Sequence, residues 1–338
     1  MAAVETGLAP ADFIDTAARA VAACASLSLA GRMQCLAADG LLGLMAPESV
    51  GGLGLDAEFA APVLEAAGDG LLDFPLLETM LSARALDEAL PQLAEQIIAG
   101  TASITIAWSG AAKLHVEGSS FRLDASVGKV PHLDEVDWLL LPLEAGGAAV
   151  VSMQSAGLEK QQDIALEQDQ AVWSAQLRDV VVQSSDILPQ EAWSQLQADA
   201  HPLRAAVMLG AGEACLRTAC DYVSVRRQFG RPLAAFQAIR HMLARSRLTL
   251  DGVRRAIQRS LWPVNARNMQ SRHAAFVAAS AHCAAAAEAA IQAHGGMGFT
   301  WDVPLHRYLR RIRMLEQQGN APAMLDEIGR LVVAGLRD

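Results

Sequence analysis

Aromatic side chains are scarce in this sequence: Phe, Trp and Tyr together make up 5% of its 338 residues. Apolar residues still reach 52%, so the apolar content is chiefly Ala, Leu and Val. That balance favours closely packed helices over a β-sandwich. Positive charge is also in short supply. Lys and Arg number 27 against 37 Asp and Glu, a formal net charge of −10. This argues against a nucleic-acid binder, which needs a basic face for phosphates. A local cluster at Arg307, Arg310, Arg311 and Arg313 runs against the trend and could hold an anion. The cysteines, Cys24, Cys35, Cys215, Cys220 and Cys283, form no CxxC pair, are odd in number and sit in apolar surroundings. Buried, reduced thiols in a cytoplasmic protein are expected, and no metal site. The N-terminal stretch holds Glu5 and Asp12 and no basic segment before an apolar run, so no signal peptide is expected. The most apolar long window, Ala274 to Ala293, is alanine-rich and interrupted by His282 and Glu288. It reads as too weakly hydrophobic to span a bilayer, and no membrane insertion is expected.

Residues 1–100 read as helices. Apolar positions recur at helical spacing through Phe13, Ala17, Val21 and Cys24, and again through Met33, Leu36, Ala37 and Leu41. A turn rich in glycine, Leu41 to Leu55, contains Pro47 and then Gly51, Gly52 and Gly54. It lacks the strand-then-helix setting of a dinucleotide fingerprint, which excludes a Rossmann reading. Beyond residue 100 the pattern changes to short strand signals: Ser103 to Trp108, Leu114 to Leu123, Trp138 to Leu143, Ala148 to Val151, Ala171 to Trp173 and Val180 to Val182. No helix-length segment separates them, so residues 101–186 are expected to form a small antiparallel β-domain. Helix returns over about 190–227, over 234–261 with a stop near Trp262-Pro263, over 266–294, and over 321–336. The third of these places Phe276, Ser280, Cys283, Ala287 and Ile291 on one face. Four long helices with short connections make a four-helix bundle over 187–338. The fold class is multi-domain α+β: an N-terminal helical domain, a middle β-domain and a C-terminal bundle.

Three segments of the C-terminal part stand out. Arg226-Arg227-Gln228-Phe229-Gly230 is followed by Phe236-Gln237, and the alanine-rich helix ends in Gln292-Ala293-His294-Gly295-Gly296-Met297-Gly298. With the Leu41 to Leu55 turn and the order helices, strands, helices, they resemble the acyl-CoA dehydrogenase family over nearly the whole chain. The resemblance implies a flavoenzyme whose flavin adenine dinucleotide (FAD) lies across a subunit interface. One subunit then reaches the ADP half of its neighbour's cofactor with residues matching Arg226 and Phe229, Gln237, and Gln292 with Gly295 and Gly296. The chemistry suits those residue types. A pyrophosphate takes a guanidinium and unpaired backbone N–H groups, and glycine lets backbone come close.

The rest of the family pattern is broken. In place of the family's "T-E-P-x-x-G-S-D" loop stand Ile106-Ala107-Trp108-Ser109-Gly110-Ala111-Ala112, and in place of "K-x-W-I-T-N" stand Gly128-Lys129-Val130-Pro131-His132. The family's catalytic glutamate, in "E-G-T", falls by ungapped count at Gly319, followed by Asn320 and Ala321. Glycine cannot take a proton. The alternative helix-borne base falls at Ala200, leaving Asp199, one position away, as the weak candidate base in this chain. This combination resembles the smaller, base-lacking subunit of heteromeric α2β2 bacterial steroid side-chain acyl-CoA dehydrogenases. It implies a partner subunit that supplies the glutamate, an acyl-CoA substrate and a cytoplasmic site of action. Two other readings stand beside it: a self-sufficient homo-oligomer with an atypical base, and a non-catalytic scaffold.

Overall fold

The structure is a computed structural model that describes residues 7–117, 120–167, 170–262 and 266–335. It divides into two compact units. One comprises Met1–Val63 and Asp73–Ala200; the other comprises Leu64–Leu72 and His201–Asp338.

The first unit opens with α1 (Ile14–Ala23), α2 (Leu29–Ala38), the start of α3 (Ala57–Asp69), α4 (Leu76–Ala85) and α5 (Pro91–Ile98). Local chemistry sets the helix starts. The Ser28 hydroxyl accepts the Gly31 N–H at 3.3 Å to cap α2, and Pro91 begins α5, where its missing N–H costs nothing. The turn rich in glycine folds back on itself. Leu53 N–H donates to Gly43, Gly54 N–H to Ala46 and Leu55 N–H to Leu44, at 3.0, 2.8 and 3.1 Å. These amides are spent inside the turn, which serves structure and not phosphate binding.

Eight strands follow: β1 (Ile104–Ile106), β2 (Lys113–Glu117), β3 (Ser120–Pro131), β4 (Trp138–Pro142), β5 (Ala148–Ser152), β6 (Leu158–Asp163), β7 (Val172–Val182) and β8 (Ile187–Leu188). They form two sheets, ordered β1-β4-β5-β8 and β2-β3-β7-β6. The second is antiparallel throughout. The first departs from the antiparallel expectation at one pair: β1 runs parallel to β4, with Ile104 beside Trp138. The chain leaves β1, builds β2 and β3 in the other sheet, and so returns to β4 in the direction it left, a connection long enough for parallel pairing. Leu123, Val127, Val180, Leu139, Leu141 and Val151 from the two sheets share one buried core.

The second unit takes the end of α3, α6 (Gln190–Val225) from His201 onward, a hairpin of β9 (Arg227–Gln228) and β10 (Arg231–Pro232), then α7 (Gln237–Ser260), α8 (Ala266–His294), α9 (Leu305–Gln318) and α10 (Ala321–Gly335). The four expected helices are present, and α9 makes a fifth where the sequence showed only a charged segment. Its Leu305, Ile312 and Leu315 are buried and so is Arg311, whose guanidinium donates to the Leu72 carbonyl at 3.0 Å. Pro263, expected to stop α7, lies outside the described residues. The face of α8 read from spacing is buried at every position, Phe276, Ser280, Cys283, Ala287 and Ile291. One expectation needs correction. Met269–Phe299 is long and apolar enough to cross a membrane by length and composition, because alanine accumulates hydropathy despite the interruptions, yet over half of its most apolar window is buried inside the protein. It is the central helix of the bundle, packed against α7, α9 and α10.

α3 and α6 meet at paired glycines. A Cβ on Gly68 would stand 1.9 Å from the Val207 carbonyl oxygen, and one on Gly210 would stand 1.8 Å from that of Glu65. Beside this crossing Arg254 forks onto both oxygens of Glu65 at 2.7 and 2.8 Å and reaches Glu213 at 2.8 Å, which Arg247 also holds. Burial pushes the Glu213 carboxyl up, but hydrogen bonds from Arg247 and Arg254 outweigh it and hold the carboxyl below its ordinary range. Glu65, more deeply desolvated, is raised despite Arg254.

Candidate functional site

The six residues assigned to the cofactor gather at one end of the second unit. Arg226 follows the last turn of α6, and its N–H donates to the Tyr222 carbonyl at 2.9 Å. The Tyr222 ring stacks on His294, centroids 4.1 Å apart, at the last residue of α8. That contact sets the Arg226 segment beside the Gln292 to Gly296 turn. Leu233 N–H donates back to the Arg226 carbonyl at 2.8 Å, closing the hairpin and delivering Gln237 as the first residue of α7. The hairpin is braced by Arg231, whose guanidinium lies 4.1 Å above the Phe236 ring. Phe229 takes a positive φ of 52° at its tip and is 91% exposed.

All six residues face solvent. Arg226 makes no ion pair among the described residues. Gly295 has φ 62°, and a Cβ on either Gly295 or Gly296 would meet nothing within 4 Å. The backbone there is bare and open. The α7 N-terminus adds N–H groups that have no partner within the helix and the positive end of its dipole. A guanidinium, free amide donors, a glutamine amide and an exposed ring suit an anionic dinucleotide with an aromatic base. Among the described residues no group of three or more His, Cys, Asp or Glu side chains could hold a metal ion.

The place counted as the catalytic glutamate is built in the opposite way. Gly319 caps the C-terminus of α9 and is buried. A Cβ on it would fall 2.2 Å from Cζ of Phe276 and 2.7 and 2.8 Å from its Cε atoms. The Phe276 ring, itself fully buried, occupies the space into which any side chain at 319 would extend. His201 packs on the same ring, centroids 5.7 Å apart, and meets His273 edge to face at 5.2 Å. Burial, with Arg204, His273 and Arg272 nearby, pushes the His201 imidazole down to about 3, so it is neutral at physiological pH. Sequence reading missed this cluster, since His201 and Phe276 lie on different helices and neither belongs to a motif.

In the first unit Asp199 is buried. Its Oδ2 accepts from Arg84 at 3.2 Å and from the Gln195 amide at 3.0 Å. The two β-domain loops named by the resemblance do meet: the Ser109 hydroxyl donates to the Gly128 carbonyl at 2.9 Å. Trp108 is half-buried, stacks on Trp193 at 6.4 Å and donates its indole N–H to Glu78 at 2.9 Å. His132, the last residue of the second segment, is buried with a ring nitrogen 3.0 Å from the Gln170 amide.

Comparison with known proteins bears on this arrangement. Residues 195–330 match the family described as acyl-CoA dehydrogenase, C-terminal domain. The chain is 28% identical over 317 residues to the acyl-CoA dehydrogenase FadE27 of Mycobacterium tuberculosis, covering 86% of this chain and 85% of the relative. Its fold superposes on a chain of the ChsE4-ChsE5 complex from Mycobacterium tuberculosis with a TM-score of 0.88 at 24% identity, over 96% of this chain and 97% of that one. It superposes likewise on the Tcur3481-Tcur3483 steroid ACAD G363A variant, with a TM-score of 0.87 at 24% identity, over 97% and 99%. A matching C-terminal domain, a relative aligned along most of both chains and a fold shared from end to end make this chain similar to the acyl-CoA dehydrogenases in sequence and in fold.

Proposed function

We propose that the chain is one subunit of a heteromeric FAD-dependent acyl-CoA dehydrogenase that desaturates the acyl chain of a CoA thioester, its substrate a steroid side chain. The observation that carries this reading is the filled space at Gly319. A glycine whose missing side chain is replaced by the Phe276 ring offers no base and no room for one. The proton on the α-carbon must then leave to a carboxylate of another subunit. A bound FAD supplies the acceptor for the hydride that leaves the β-carbon. This chain's own part is to hold the ADP half: Arg226 against the pyrophosphate, the Gly295-Gly296 backbone beneath it, and Gln237, Gln292 and Phe229 around the adenosine. Likeness to a two-component complex and to a steroid ACAD supports the unlike partner and the substrate class. The five cysteines are free thiols, which fits a reducing cytoplasm.

Co-expression with each acyl-CoA dehydrogenase chain encoded beside it, followed by light scattering and flavin absorbance on one chromatographic peak, tests the reading. An α2β2 assembly whose complete sites lie only at unlike interfaces holds about two flavins per four chains. One flavin per chain in a sample of this protein alone overturns it.

A further inference from the structure

Gly295 and Gly296 have no side chains with which to fix their own backbone, and nothing stands within 4 Å of where a Cβ would be. Both flanks of the pair are nevertheless held, and by one residue of α6. On the near flank the Tyr222 ring stacks on His294 with only 17° between the planes. On the far flank the Tyr222 hydroxyl donates to the Met297 sulfur at 3.9 Å. The main chain of the same residue makes a third contact, since its carbonyl accepts the Arg226 N–H. Tyr222 thus touches the arginine segment and both ends of the glycine turn.

The partners of Tyr222 are themselves anchored. His294 is buried, with Nδ1 2.8 Å from the Ala290 carbonyl oxygen. A carbonyl only accepts, so Nδ1 carries the proton and the hydrogen bond sets the plane of the ring. After the turn Gly298 packs closely on α8: a Cβ there would stand 2.6 Å from the Ile291 carbonyl oxygen. Between these fixed points lie the two open glycines, whose backbone is the most permissive in the chain. A ligand that had to order them on arrival would lose affinity in doing so. We infer that Tyr222, with His294 as its stacking partner, is a positioning residue for a bound diphosphate, holding the Gly295-Gly296 backbone in register with the Arg226 guanidinium so that both meet the same anion. It acts through those groups and touches no reacting atom. The inference rests on reading this end as the ADP-binding half.

Flavin release from the co-expressed assembly tests it, followed by the rise in flavin fluorescence on dilution, well below the melting temperature of each variant. Tyr222→Leu should speed release about five- to tenfold, the value of one lost aromatic stack. His294→Leu removes the same stack from the other side and should match it. Tyr222→Phe keeps the ring, gives up only the weak contact to sulfur, and should stay near wild type. In an Arg226→Ala background Tyr222→Leu should add little, because the group it places is gone. Wild-type release in both leucine variants, release from Tyr222→Phe as fast as from Tyr222→Leu, or losses that add in full to that of Arg226→Ala each overturn the positioning role. If Arg226→Ala speeds release in that case, the reading of this end stands without the inference. Release unchanged by Arg226→Ala and by Tyr222→Leu alike overturns both.

Discussion

Two sets of glycines in the second unit have opposite surroundings. At Gly295 and Gly296 an added methyl group would meet nothing; at Gly319 it would meet the Phe276 ring, and at Gly210 a neighbouring helix backbone. The first pair leaves main chain uncovered beside Arg226 and Gln237, at the expense of packing. The others exist so that something else can come close. Residue type alone does not separate a glycine that offers a surface from one that yields a space. What stands opposite it does. By that measure the Gly295-Gly296 turn offers open backbone, and the position of Gly319 is closed by a ring.

The contrast can be pressed by substitution, in order of expected loss of stability. Gly210→Ala drives a methyl into the Glu65 carbonyl, a backbone that cannot rotate away, and should cost about 3 kcal/mol or more; chemical denaturation measures it. Next is acid. The folded His201 binds its proton only near pH 3, against an ordinary value of 6.5. Its contribution is therefore complete above pH 6.5 and lost as the pH falls toward 3, because the unfolded chain takes the proton first. Between pH 6.5 and 4.5 the loss should be about 2–3 kcal/mol. His201→Gln should flatten that part of the pH profile of melting. Gly319→Ala should cost about 2 kcal/mol. Part of that penalty should vanish in a Phe276→Leu background, a coupling that a double-mutant cycle reads directly. At the open end the effect moves from stability to ligand. Arg226→Ala should leave melting unchanged and lower flavin retention in the assembled enzyme about tenfold or more, the loss of one charge-assisted contact. A drop in melting temperature as large as that of Gly319→Ala would erase the distinction between the two regions.

Much of the fold could be read in advance. The spacing of Phe276, Cys283, Ala287 and Ile291 marks the buried face of α8, and the glycines after His294 mark its end, because both signals are local. The arginine-rich α9 was illegible as a helix. Its core side includes Arg311, and the carbonyl that accepts from that guanidinium belongs to Leu72, far away in sequence. The parallel β1–β4 pair was equally hidden, since alternation of side chains is the same in either direction. For the candidate site, the motif residues mark an exposed end of the second unit. The closure at Gly319 depends on a ring more than forty positions upstream, and the Asp199–Arg84 pair joins residues 115 positions apart. Such partners become visible only once the helices are in place.

The shared helix α3 has a consequence for how the molecule is made. Leu64–Leu72 belong to the second unit, yet they are synthesised before the β-strands and well before His201. Until α6 emerges from the ribosome, the surface around Glu65 and Gly68 has neither its backbone neighbour nor its arginine. Closure of the second unit is therefore a non-local event, late in translation and of high contact order, a kind that slows folding. A fragment cut at residue 201 would lack a wall of its own core, so the C-terminal helices should not be obtainable as an independent module by truncation alone.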